Sequence, residues 1–177
     1  SRIYATFWAS DVVTLQRCKE HMQQQLSVTD SQWCQACTSD PQAVRAPPER
    51  VDAVIAWLES KPLGFSRAEV AKLWVTRPDL YAGSAEVLQH RLGQLVSRFA
   101  LGEGSMRQVI WSSPFLLTLD SRVLLSKLDS LAAEPCLRAS MPSLLCRGGS
   151  ALGYNTETVL SKVKHLREYG ESLYSIA

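Results

Sequence analysis

Proline followed at once by a mostly apolar stretch recurs along this chain, at Pro41 in DPQAV, Pro78 in RPDLY, Pro114 in SPFLL and Pro142 in MPSLL. The intervals are 37, 36 and 28 residues, and a Gly-rich run after Leu145, CRGGSALGYN, partly makes up the short one. Proline lacks an N–H and its ring clashes with the preceding turn, so each of these positions reads as a helix stop. A pattern repeated at such a spacing constrains the fold strongly, because a unit that cannot bury its own apolar face must stack on copies of itself.

The flanks repeat as well. Leu63-Gly64-Phe65-Ser66 precedes Pro78, and Leu26-Ser27-Val28-Thr29 precedes Pro41; each leading Leu stands 15 residues before its proline. Ser66 and Thr29 are natural helix N-caps, and Glu69 completes a capping box with Ser66. Val70, Leu73 and Trp74 then mark one helix face, with Trp33 and Cys37 in the matching copy. Met106, Val109 and Ile110 play this part before Pro114, from a shorter lead-in.

A second segment follows each proline. EVLQHRLGQL (86–95), RVLLSKLDSL (122–131) and ETVLSKVKHL (157–166) superpose without gaps, matching Leu88, Leu92 and Leu95 to Leu124, Leu128 and Leu131 and to Val159, Val163 and Leu166. ERVDAVIAWL (49–58) joins them through Val51, Ile55 and Leu58. Val12, Leu15, Cys18 and Met22 suggest a first helix before the array. The unit is therefore helix, capped helix, proline break and short apolar turn, with Leu80 and Tyr81 or Phe115 and Leu116 plugging inward. The fold class this predicts is all-α, an α-solenoid, with a capping segment over 1–25, the repeat array over 26–166 and a tail over 167–177.

The best copy, PLGFSRAEVAKLWVTRPDLYAGSAEVLQHRLGQL (62–95), resembles the mitochondrial transcription termination factor (mTERF) family, with SSPFLL and MPSLL as further matches. The similarity covers roughly residues 26 to 166, and its specific part is the repetition. The lead-in of the third copy, LGEGS (101–105), departs from the pattern by one extra residue. The resemblance implies a superhelical array of two helices plus a short third one per repeat. It also implies a location in the mitochondrial matrix or, alternatively, in plastids, and non-enzymatic binding of DNA or RNA along a basic groove in organellar gene expression.

Composition is compatible with this. The chain has 177 residues, 46% apolar and 20% charged, which suits a globular protein with a real core. No run approaches the ~18 apolar residues of a membrane span, so no membrane partner is expected. It begins Ser1-Arg2 without Met, which leaves room for a targeting peptide or longer N-terminal part ahead of it. Five cysteines argue against a disulfide framework. Cys34 and Cys37 have CxxC spacing, but Cys136, Cys146 and His165 supply no second close pair for zinc, so no metal or other cofactor is expected.

The net charge of +2 is unevenly spread. Residues 61–127 hold nine basic and five acidic side chains, whereas 1–60 hold five and seven. Arg91, Lys127 and Lys162 fall at the same place in the superposed helices, one before a core residue, while Val54 stands there in the first copy. Such a ladder suits a phosphate backbone, whose binding strength comes from releasing condensed counterions. The alternative is a set of solvated residues whose stems cover the core edge. Arg98, Arg107 and Arg122 are less regular candidates, and Lys164 and Arg167 extend the row. His90 and His165 lack the partner a catalytic role needs, and no constellation of residues supports an enzyme. Trp57, Trp74 and Trp111 fall at core spacing, so packing is their expected role; a base-stacking platform would need exposed aromatics. Trp8, with Phe7 and Tyr4, suggests a cap or a partner contact, and Gly148-Gly149 a flexible connector. The expected partner is structured RNA, ribosomal RNA above all, inside an assembly such as the mitochondrial ribosome. Double-stranded DNA, in control of transcription, is the alternative. A protein-interaction scaffold, with ESLYSIA docking on a ribosomal or other protein, is the third possibility.

Overall fold

The computed structural model describes residues 2–147 and 152–174, with side chains described over 12–147 and 152–169. Among the described residues every regular element is helical and there is no strand. Helix α1 (Arg2–Leu26) and helix α2 (Asp30–Ser39) are followed by a 3-10 turn at Ala43–Arg45. Next come α3 (Pro48–Glu59), α4 (Arg67–Thr76) and the one-turn α5 (Asp79–Ala82). The order repeats in α6 (Ala85–Phe99), α7 (Glu103–Ser112) and a 3-10 turn at Pro114–Leu117. Then follow α8 (Ser121–Ala132), the short α9 (Pro135–Arg138), α10 (Met141–Arg147) and α11 (Thr156–Tyr174).

Local chemistry sets these boundaries. The Ser66 hydroxyl accepts from the Glu69 N–H, and Glu69 in turn accepts from the Ser66 N–H at 2.9 Å. Thr29 and Gln32 make the same reciprocal pair at the start of α2, with glutamine in place of glutamate. Each satisfies two N–H groups the helix leaves open. The Ser84 hydroxyl caps α6 and the Asp120 carboxylate caps α8. Ala100 ends α6 in the left-handed region, at φ 49°, and Gly64 turns the chain into α4 at φ 58°, a conformation costly for any side chain.

Packing follows the same order. α2 lies on α4, and α7 on α10; α3 lies on α6; the turn at Ala43–Arg45 lies on α5, which lies on the turn at Pro114–Leu117. First helices, second helices and short third elements thus each meet their own kind. Of the residues expected to plug the interior, Leu80, Tyr81 and Leu116 have no exposed surface, whereas Phe115 is half-buried and Leu117 fills the interior beside it. The Tyr81 hydroxyl donates to the Val70 carbonyl oxygen at 2.8 Å, tying the short α5 to α4, and burial pushes its pKa far up. Leu88, Leu92 and Leu95, Leu124, Leu128 and Leu131, and Val51, Ile55 and Leu58 are all buried, as the superposition predicts.

Several expectations need correction. Pro142 does not end a helix: it is the second residue of α10, whose first turn closes with Leu144 N–H donating to Ser140 O at 2.8 Å. Proline is tolerated in a first helical turn because the N–H it lacks has no partner there. α10 is therefore the second helix of its unit. Leu166 is 69% exposed, and Val159 and Val163 are only half-buried, because α11 packs on α8 with nothing described beyond it. Val12 is exposed as well, whereas Cys18 and Met22 are buried. Trp74 is a core residue, stacked on Trp33 with centroids 5.6 Å apart, but Trp57 is half-buried and Trp111 is 40% exposed. α11 runs without a break across the boundary expected after residue 166. The side chains of Tyr4, Phe7 and Trp8, the pair Gly148-Gly149 and the side chains of ESLYSIA lie outside the described residues.

Candidate nucleic-acid interface

The cations at equivalent helix positions have specific partners. Arg91 Nη1 donates to the Leu117 carbonyl oxygen at 2.6 Å. Lys127 Nζ donates to the carbonyl oxygens of Leu152 and Tyr154. Arg91 joins the first helix of its unit to the end of that unit's 3-10 turn, and Lys127 joins α8 to the chain just before α11. The first copy, where Val54 is apolar and buried, is not an exception. Arg50, one turn earlier on the same face of α3, donates from Nη1 to the carbonyl oxygen of Ala82, the last residue of α5, at 3.0 Å. A cation at the carbonyl end of a helical turn satisfies an open acceptor and complements the local dipole. Arg91 and Lys127 of the row, with Arg50, are therefore clasps between elements, whereas Lys162 stays exposed. The i−4 position is the signal that finds Arg50, since residues four apart share a helix face.

Lys162 has no such carbonyl partner among the described residues. Its Nζ lies 5.6 Å from the Tyr154 ring centroid. Arg122 is exposed, and its side chain makes no hydrogen bond or ion pair among the described residues. Lys164 is exposed, with Glu168 at 4.0 Å. Arg98 Nε donates to Asp129 at 2.7 Å, linking α6 to α8, and Arg167 Nη1 lies 3.5 Å from Glu134.

These side chains fall into three clefts. Arg122 and Lys127 share one of about 560 Å³ with Ser126, Ser130, Asn155 and Thr156, between the starts of α8 and α11. Lys164 and Arg167 share a second with Glu134. Arg98 borders a third, about 720 Å³, with Asp129 and Arg138 at the ends of α6 and α8. Arg107 stands apart from all of them. Its guanidinium holds Glu69 at 2.5 Å and the Gly64 carbonyl oxygen at 2.7 Å, and lies over the Phe65 ring. Hydrogen bonds from the Ser66 backbone and hydroxyl hold the Glu69 carboxyl below its usual range, and Arg107 adds to this.

Cys34 and Cys37 sit in the middle of α2, and no group of three or more metal-ligating side chains occurs among the described residues. His90 is exposed beside Gln94, and His165 is exposed on α11. No described helix is long and apolar enough to cross a membrane. No protein-family model, curated protein or solved structure matches the chain.

Proposed function

We propose that this protein is a non-enzymatic nucleic-acid-binding α-solenoid of mTERF-like repeats that contacts structured RNA in an organellar gene-expression assembly. The sequence resemblance supports a location in the mitochondrial matrix, with plastids as the alternative, and favours ribosomal RNA in a mitochondrial ribosome as the partner. The observation that carries the proposal is the cleft between α8 and α11. Arg122 and Lys127 line it with hydroxyl and amide groups, and no carboxylate does. Lys162 stands beside Tyr154, one residue from that cleft's Asn155. Cations in a cleft that no carboxylate lines, together with hydroxyl donors, match the oxygens of a phosphate backbone. The stacking of like elements on like, from the first helices to the short closing turns, supports a repeat array.

The clasps add a mechanical element. Lys127 is tied to the segment that leads into α11, so the cleft's two walls are fixed relative to each other before anything binds. A preset spacing of charges lowers the ordering cost of binding.

The test uses an RNA hairpin and a DNA duplex of equal length, titrated by fluorescence anisotropy. Arg122→Gln, Lys162→Gln and Lys164→Gln are combined in one variant, because none of the three holds helices together. Wild type binds the hairpin, and the variant binds it at least about tenfold more weakly. Unchanged binding sinks the proposal, and a clear preference for the duplex moves the function to transcriptional control on DNA.

A protein-docking role has one observation of its own. Val87, Leu119 and Val123 are exposed at the starts of α6 and α8. Replacing Val87 and Leu119 by serine leaves RNA binding intact if the cleft between α8 and α11 holds the RNA; Val123 stays in place because it lines that cleft.

A further inference from the structure

Trp111 is a large aromatic at core spacing that the fold leaves 40% exposed. Phe65 stacks on it at a centroid distance of 6.2 Å and an interplanar angle of 25°. The Lys72 ammonium lies 5.3 Å from its ring centroid. Phe65 is itself covered by the Arg107 guanidinium at 4.7 Å, and Arg107 is anchored by Glu69 and the Gly64 carbonyl oxygen. The indole is thus braced from the α4 side. It also borders a cleft of about 420 Å³ shared with Gln108 and Ser112 of α7 and with Arg147 of α10. Arg147 is exposed and makes no hydrogen bond or ion pair among the described residues, and Lys72 has only the indole. Among the described acidic side chains only Glu69 borders the cleft, and Arg107 already neutralises it.

We propose that this cleft holds an unpaired nucleotide of RNA, its base stacked on Trp111 and its phosphate met by Arg147. The ring supplies a flat, fixed surface, and every base has a face to stack on it. Gln108 and Ser112 put an amide and a hydroxyl at the edge of the same cleft, where base edges carry donors and acceptors. Arg147, a cation with no acidic partner among the described residues, selects a polyanion over an apolar peptide. A paired strand cannot use the site, because its bases are already stacked and their faces are hidden. The site lies on the row of second helices, α4, α7 and α10, whereas the cleft with Arg122 and Lys127 lies on first helices. This inference rests on the RNA function proposed above and gives its two surfaces different tasks: phosphates of a folded element on one, a single-stranded neighbour on the other.

The experiment titrates a short oligouridylate and, in parallel, the RNA hairpin against wild type, Trp111→Ala, Trp111→Phe and Arg147→Gln, with each fold checked by circular dichroism. Trp111→Ala weakens oligouridylate binding about tenfold, Trp111→Phe retains most of it, and Arg147→Gln weakens it severalfold. Hairpin affinity stays within about twofold in all three. If Trp111→Ala binds oligouridylate as wild type does, or if Trp111→Phe is as weak as the alanine variant, stacking is refuted. A wild type that binds the hairpin and ignores oligouridylate overturns this site alone. A wild type that binds neither overturns the RNA function and the site together.

Discussion

Arg91 reaches from the middle of α6 to the Leu117 carbonyl oxygen, 2.6 Å away, and so closes the unit that α6 opens. Arg50 to Ala82 and Lys127 to Leu152 repeat the relationship. One side chain in each of these three units thus bridges elements about 25 to 32 positions apart in the chain, where helix hydrogen bonds cannot reach.

Arg91→Ala removes a charged donor from a carbonyl at a turn end, and such bonds contribute about 1.5–3 kcal/mol. Urea unfolding of the variant shows a loss of about that size. Arg91→Lys keeps part of the stability, because Lys127 makes the same link with an ammonium. An alanine variant as stable as wild type rules out a clasp at this position. A consequence follows for any binding experiment: Arg91 and Lys127 variants change stability as well as charge, so Arg122, Lys162 and Lys164 are the cleaner probes.

Tyr81 separates the effect of a plug from the effect of its hydrogen bond. Tyr81→Phe keeps the ring and loses the bond to Val70, at a cost of about 1 kcal/mol. Tyr81→Ala empties a fully buried site and costs about 3–5 kcal/mol. Equal costs for the two variants contradict this division.

The last helix supplies a packing test inside one superposed set. Leu131 and Leu166 occupy matching positions, yet Leu131 is fully buried and Leu166 is 69% exposed. Leu131→Ala costs about 2–5 kcal/mol, whereas Leu166→Ala stays within about 0.5 kcal/mol. Comparable losses show that Leu166 is covered in solution.

Acid weakens the fold in a defined direction. Glu69 is held below its usual pKa first by the Ser66 backbone and hydroxyl and then by Arg107. Burial alone raises the pKa of Asp79, but the hydrogen bond and charge of Arg77 outweigh it and the net shift is downward. A carboxylate with a depressed folded-state pKa contributes stability above its unfolded pKa, near 4, and loses it as pH falls through the folded value. Chemical denaturation between pH 6 and about 2.5 therefore shows stability falling below about pH 4, less steeply in Glu69→Gln. A flat profile contradicts the two carboxylate assignments.

Much of the core was legible in the sequence, because the apolar spacing of the first helices survives intact: Leu88, Leu92 and Leu95 are buried as their spacing predicts. The capping serine and the proline after α4 were legible because each acts within one turn. Pro142 misled because one residue type serves at both helix ends, and only the unit's packing on α7 shows which end it marks. The clasps were half visible. Equal positions revealed Arg91 and Lys127, but their partners lie 25 to 27 residues away in segments no periodicity links to them. Arg50 was hidden by a one-turn shift, and Trp111 by a spacing that cannot tell a core face from a braced surface.

The salt dependence of RNA binding bears most directly on the claim that a cationic repeat face holds a phosphate backbone. Plotted as logarithms, the hairpin association constant falls linearly with salt, with a slope of about −2 to −4 for three to five phosphate contacts, and the Arg122, Lys162 and Lys164 triple glutamine variant flattens it by roughly 2. A slope near zero in the wild type, or one the triple variant leaves unchanged, contradicts it.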